Sequence, residues 1–535
     1  MEIQNLKLKI KNWIVFGLFA LMVFGKTLLF DHFAFREWGF EPAFVDYIYK
    51  IAAAVFFASF TFLLRDKRWL ILLSVVIDTW FIANLVYMRN NHILLDGEAF
   101  NMAGNLHGYF WSVLIYIEWG IDLLFYGLTA LFSLIYLYVK KSERSWQAWL
   151  VCCVVGVLPL VYERTQHVYG QNFPKTVAST SVLYAPYYIV ADYRLMIQGI
   201  QPTRPMMEKD AAIMAQLDKG EDSVQLDSPL IIVLLESLEN WVVTPEIMPN
   251  LYRLTQNDHV FYANRIHTQI VGAPSADGQL LVNTGLLPIT AGGTCLHYWR
   301  DTYPAIMKLA PEAPICLLPH DTCVWNQTKM SPAYGYDSTI CYSDVDTILF
   351  RKLDSLVDEG HHYIQCITQS THAPFVNEKY SHLELPQSMP WVMHHFIRGF
   401  NSLDEGLGTF IRKLETDTVL QNYTIVFTGD HRILHYEKRQ QMQAYADKHL
   451  MGLTPMDDCL PLIIYSPKIK GNPRYTEDAY QMDIYPTYRA LVGAGNYRWR
   501  GFGINLMDST QKRLIDEDEA YQLSDRLIRN NYFNF

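Results

Sequence analysis

Several oxygen and imidazole side chains, far apart in the chain, follow directly on short apolar runs. The run "LIIVLLE" ends in Glu236, and "YTIVFTG" passes straight into Asp430 and His431. "PICLLP" leads to His320, and "YIQCIT" leads through "QSTHAPF" to His372. Thr428 and Gly429 already supply the turn residues after their run, so Asp430 and His431 serve some other purpose. Carboxylate oxygens grouped with an imidazole nitrogen suit a divalent cation such as Mn²⁺ or Zn²⁺. Singly, a strand-end Glu also caps helices and an Asp-His pair also closes turns. Their common position at the ends of runs favours the metal.

A metal needs a nucleophile beside it to become a reaction. "VGAPSADGQLLVNTGLLP" offers Ser275, with Gly272 and Pro274 before it and a helix-forming apolar segment after it. Proline is tolerated in a first helical turn, so Ser275 is expected at a helix N-terminus, where free N–H groups and the dipole favour an anion. A serine oxygen bound to a divalent cation loses its proton more readily and becomes a usable nucleophile. A plain N-cap serine would look the same in isolation.

The elements that must position these residues follow from the apolar pattern. From Pro229 onward, continuous apolar runs alternate with helical segments such as "MPNLYRLTQ" and "MHHFIRGFNSLDEGLGTFIRKLE". Runs this short and wholly apolar read as strands buried on both faces, giving an α/β domain with a mostly parallel sheet and helices on both faces. Ligands of such sheets bind at the carboxyl ends of the strands, where the acids and imidazoles fall.

The N-terminal part is of another kind. Apolar segments at 13–29, 44–64, 69–87, 120–139 and 149–162 approach the length that crosses a bilayer core of about 30 Å, predicting a five-helix transmembrane bundle. Lys7, Lys9 and Lys11, then Arg65, Lys67 and Arg68, then Lys140, Lys141 and Arg144 flank alternate segments, against Lys26, Arg36 and Arg89 elsewhere. This bias places the N-terminus in the cytoplasm and exports the chain after the fifth span. Asp78, Glu118 and Asp122 fall in or beside spans, where carboxylates serve function or cap a neighbouring helix. The expected division is a transmembrane domain at 1–163, a juxtamembrane connector at 164–227 and an exported catalytic domain at 228–535. A net charge of −10 argues against a nucleic-acid partner, which would want a basic surface. Cys295, Cys316, Cys323, Cys341, Cys366 and Cys459 lie in the exported part without a CxxC spacing, so no disulfide pairing follows from sequence.

Five N-terminal spans, an exported α/β domain and the order Glu236, Ser275, Asp430-His431 resemble the lipoteichoic acid synthase family of the alkaline phosphatase/sulfatase superfamily, with "MPNLYRL" and "QMDIYPT" as further likenesses. The resemblance implies a transferase of the bacterial plasma membrane that moves phosphoglycerol from a membrane phospholipid donor to a glycan or lipid acceptor. It implies one divalent cation, manganese or magnesium in that family and zinc as another fit, held by Glu236, Ser275, Asp430 and His431. Ser275 matches the family's threonine nucleophile, and a covalent phosphoserine intermediate follows. His372 matches a histidine that contacts the phosphoryl or head group. "VWNQ" resembles the family's Trp-Asn-Arg, so Trp325 would line the head-group pocket with His320 upstream. Gln327 stands in place of the family's phosphate-binding arginine and Pro274 in place of a basic residue, which opens the head group to phosphoethanolamine or another group. The Cys/Ser-x-Pro-x-Arg segment of true sulfatases is missing around Ser275, where "SADGQ" stands. A non-catalytic head-group sensor is the alternative of another class.

Overall fold

The computed structural model describes residues 2–534 apart from 36–43, 92–93, 96–98, 100–112, 140–143, 167–180, 188–189, 191–204, 291, 320–323 and 343–344. His320 and Cys323 lie outside the described residues. The chain divides into two units, Met1–Gln201 and Pro202–Phe535.

In the first unit, helices α1 (Glu2–Ala34), α2 (Phe44–Ser59), α3 (Arg68–Asn91), α4 (Trp119–Ser133) and α5 (Trp146–Gln166) form at the five apolar segments. Ile10–Ala34 and Arg68–Asn90 are long and apolar enough to cross a membrane, while Trp119–Ser133 and Trp146–Pro159 are apolar but shorter. Leu21, Trp69, Val76, Leu131 and Val151 are exposed on these helices, an outer surface suited to lipid. One sequence expectation changes. Lys26, which the charge count sets with the residues that link the first two spans, lies inside α1, which continues to Ala34 and buries it completely. Its ammonium donates to Asp78 Oδ1 at 2.5 Å, to Thr129 Oγ1 at 2.5 Å and to Ser74 Oγ at 3.0 Å. Asp78 is thus half of a buried ion pair joining α1 and α3. Asp122 likewise pairs with Arg89 at 2.9 Å.

The second unit is built on strands β1 (Leu230–Leu235), β2 (Val260–His267), β3 (Ile315–Pro319), β4 (Ser338–Tyr342), β5 (Tyr363–Ile367), β6 (Thr424–Gly429), β7 (Leu460–Tyr465), β8 (Arg474–Tyr475) and β9 (Ala479–Tyr480). They make one sheet in the order β4-β3-β5-β1-β6-β7-β2-β8, with β9 also on β2. Every residue of β1, β3, β5, β6 and β7 is buried. Successive side chains point to opposite faces, so both faces of this part of the sheet are covered. β4 through β6 run parallel, as expected; β7 runs antiparallel to β6 and β2. β4 carries partly exposed residues at the sheet edge, and β2 has mixed burial, so neither gives the continuous apolar run that marks the other strands.

Register decides what meets at the carboxyl edge. Leu235 pairs with Gly429, so the residues that follow, Glu236 and Asp430, leave the sheet side by side. Leu234 pairs with Ile367, and the Glu236 N–H reaches Thr368 Oγ1 at 2.8 Å. Among the described residues all seven cysteines are free thiols.

Candidate active site

Glu236, Asp430 and His431 are each at most 4% exposed at the ends of β1 and β6. Ser237 takes a φ of +57° directly after Glu236. That turn aims its N–H at Asp430 Oδ1, 2.9 Å away, and its hydroxyl at Glu236 Oε1, 2.7 Å away. Asp430 Oδ1 also accepts the His431 N–H at 2.9 Å, whereas Oδ2 is buried with no hydrogen-bond partner among the described residues. His431 Nδ1 lies 2.8 Å from the carbonyl of Arg432. A carbonyl only accepts, so Nδ1 carries the proton and Nε2 presents a lone pair.

That lone pair points into the cluster. Nε2 is 3.5 Å from Asp430 Oδ2, 3.6 Å from Glu236 Oε1 and 3.2 Å from Ser275 Oγ. Ligand atoms of the two acids and the imidazole all lie within 4.8 Å of one another. Burial, with the neighbouring Glu236, pushes Asp430 up to about 7. Burial opposes charge on His431, but the carboxylates of Asp430 and Glu236 outweigh it and raise that imidazole above its ordinary value. An orphaned carboxylate oxygen, a second buried acid and an imidazole lone pair fit one divalent cation, which would neutralise the buried acids.

Ser275 arrives from α6 (Pro274–Thr284), whose first residue is the proline. The turn before it is tied down by Asp277, whose Oδ2 accepts the N–H groups of Val271, Gly272 and Ala273 at 2.9, 3.0 and 3.1 Å. Burial outweighs these bonds and pushes Asp277 up to about 7. One turn beyond Ser275, a Cβ on Gly278 would stand 2.3 Å from the carbonyl oxygen of Asp430. Only glycine lets this helix lie against the Asp430 peptide, and that approach brings the serine to the ligands. Gln481 donates to the same carbonyl at 2.7 Å. Glu239 and Arg439, both buried, form a two-pronged pair at 2.6 and 2.8 Å that ties the segment after Glu236 to the segment after His431. Sequence reasoning named the segments containing Asp277, Gly278 and Gln481 without giving these residues a role. The proximity of Asp277 and Gly278 to Ser275 was the available signal; Glu239–Arg439 gave none.

His372 follows β5 and donates Nδ1–H to the Ala373 carbonyl at 2.7 Å, leaving Nε2 as the acceptor. Burial lowers its pKa, and the charges of His431 and Asp430 act on it in opposite directions. Trp325 sits in the turn Val324–Asn326 with a φ of +55° and packs half-buried against the core. Asn326 ties that turn to the carbonyl of Cys295 at 3.1 Å, on the short helix α7 (Thr294–His297) that packs against α6. Gln327 opens helix α8 (Gln327–Ala333); it is buried, and its Oε1 has no hydrogen-bond partner among the described residues. The geometry therefore joins Glu236, Ser275, Asp430 and His431 directly, and ties the turn that carries Trp325 to α7.

A family model described as Sulfatase matches residues 300–494, which include Asp430 and His431. Lipoteichoic acid synthase 2 of Bacillus subtilis is 22% identical over 314 residues, covering 54% of this chain and 48% of the relative. The chain thus spans about half the length of that relative in the match. Lipoteichoic acid synthase of Staphylococcus saprophyticus is 22% identical over 555 residues, covering 94% of this chain and 85% of the relative. Among solved structures, lipoteichoic acid synthase LtaP from Listeria monocytogenes aligns over 60% of this chain and 97% of its own, at 18% identity and a TM-score of 0.48. The chain is thus similar to sulfatase-family proteins over residues 300–494 and to lipoteichoic acid synthases over half or more of its length.

Proposed function

We propose that this protein is a membrane-anchored, metal-dependent transferase that moves a phospholipid head group of phosphoglycerol type, through a phosphoserine on Ser275, to a glycan or lipid acceptor. The supporting observation is the 3.2 Å approach of the Ser275 hydroxyl to His431 Nε2 beside two buried carboxylates. A divalent cation bound by Glu236, Ser275, Asp430 and His431, manganese by the oxygen-rich donor set, supplies Lewis acidity that favours the serine alkoxide and stabilises phosphoryl charge. The N-terminal N–H groups of α6 receive the phosphoryl oxygens. Ser275 Oγ forms a bond to phosphorus, the phosphorus–oxygen bond to diacylglycerol breaks, and a proton moves from the serine side to the departing oxygen. In the second step His372 Nε2 takes the proton of the acceptor hydroxyl, which displaces Ser275 from phosphorus. Trp325 lines the head-group pocket. In this reading the chain is multi-pass in a bacterial plasma membrane, its N-terminus cytoplasmic and its catalytic domain outside.

Gln327 favours phosphoethanolamine as the second head group. It offers a buried amide oxygen without a partner among the described residues. An ammonium can donate to that oxygen, whereas an arginine there would serve phosphate.

The test is mass spectrometry of the full chain incubated with phosphatidylglycerol or phosphatidylethanolamine. A mass gain on Ser275 is expected and identifies the transferred group. Ser275→Ala should abolish the adduct and lower turnover by at least about 10³-fold, and chelation should stop turnover until Mn²⁺ is returned. Turnover that survives Ser275→Ala rules the mechanism out, and lipid binding without turnover in the wild type identifies a sensor.

A further inference from the structure

The carboxyl edge of the sheet carries a second group of ligating atoms. β2 ends in His267, and Asp458 and Cys459 directly precede β7; the pairing of Ile266 with Leu460 sets these ends side by side. Cys459 Sγ lies 3.8 Å from His267 Nδ1. Ligand atoms of His267, Asp458 and Cys459 all fall within 4.8 Å of one another.

Hydrogen bonding selects the available nitrogen of His267. Its Nε2 is 2.7 Å from Asp478 Oδ1, an oxygen that also receives the Arg265 guanidinium at 2.7 Å. That carboxylate accepts, so Nε2 carries the proton and Nδ1 turns its lone pair toward the thiol. A histidine whose far N–H is held by a carboxylate is oriented as metal-binding histidines are. Asp458 is held by an ion pair with Arg432. Cys459 is buried, while His267 and Asp458 are half-buried, which leaves solvent a way in. No residue of this group belongs to the Glu236 cluster, and its donor set differs by containing sulfur.

We propose that His267, Asp458 and Cys459 form a second cation site, selective for a thiophilic divalent ion such as Zn²⁺, with its fourth position taken by water. Binding forms the metal–sulfur bond as the Cys459 thiol gives its proton to solvent. Imidazole, carboxylate and thiolate together match zinc, whereas the sulfur-free Glu236 cluster suits manganese or magnesium. The ion would tie β2 to β7 and, through Asp458 and Arg432, to the segment that carries His431.

Cobalt titration of the full chain in detergent tests this, because only a sulfur ligand gives a thiolate-to-cobalt charge-transfer band. The wild type should show the band and bind two equivalents of metal. Cys459→Ser and His267→Gln should lose the band and one equivalent while keeping the other, which also shows that they fold. Glu236→Gln should keep the band, so a failure of the transferase reading leaves this outcome unaffected. No band in the wild type, or a band that persists in Cys459→Ser, overturns the proposal and leaves an ion-pair cluster only.

Discussion

The carboxylate of Asp277 holds three backbone N–H groups at once, and the position of Ser275 rests on that turn. Asp277→Ala leaves those donors unpaired, two of them on buried residues, at about 1–3 kcal/mol each. Thermal unfolding should show a loss of at least about 3 kcal/mol, with Asp277→Asn intermediate because its amide oxygen still accepts. Equal stability of Asp277→Ala and wild type would exclude this role. His372 carries a pH dependence at the same scale. Burial lowers its folded pKa below the ordinary 6.5, so the unfolded chain binds the proton more readily. Its contribution to stability is therefore present above 6.5 and is lost as pH falls from there through the lower folded value. His372→Gln should flatten the fall in denaturation midpoint below that pH, and an unchanged profile would show that His372 is not its source.

At the scale of elements, the site depends on how closely α6 approaches the end of β6. Gly278 permits that contact, since a Cβ there would meet the Asp430 carbonyl at 2.3 Å. Gly278→Ala must push the helix outward and carry Ser275 away from His431. A displacement near 1 Å costs about 10²-fold in rate where geometry governs the chemistry. Steady-state turnover should fall by that order, with the melting temperature lowered less than in Asp277→Ala. Wild-type turnover in Gly278→Ala would show that α6 can reach the ligands some other way. The alternating apolar runs made β1, β3, β5, β6 and β7 legible in the sequence. β2 was not legible, because its burial is mixed, and the antiparallel direction of β7 was not, because an apolar run has no direction.

At the scale of the whole molecule, the N-terminal unit buries charge as deliberately as the site does. Lys26 and Asp78 satisfy each other with Ser74 and Thr129. Removing one partner of such a pair costs about 3–5 kcal/mol, whereas replacing both with apolar or neutral groups is often tolerated. Lys26→Met should therefore lower the unfolding temperature of the full chain in detergent, and adding Asp78→Asn should recover most of the loss. Additive losses in the double variant would show that the two charges do not depend on each other.

The sequence by itself determined the class of the protein: an apolar, charge-biased N-terminal part, an α/β part, and the acids, imidazoles and serine that end its strands and begin its helix. These follow from composition and local periodicity, which a chain displays before it folds. Tertiary structure alone decided which of those groups meet. The Leu235–Gly429 register sets Glu236 beside Asp430, and the Gly278 contact brings Ser275 to His431. It also gave Lys26 a partner in Asp78 and His267 a neighbour in Cys459. Such meetings depend on distances between segments up to about two hundred residues apart, and no local pattern encodes them.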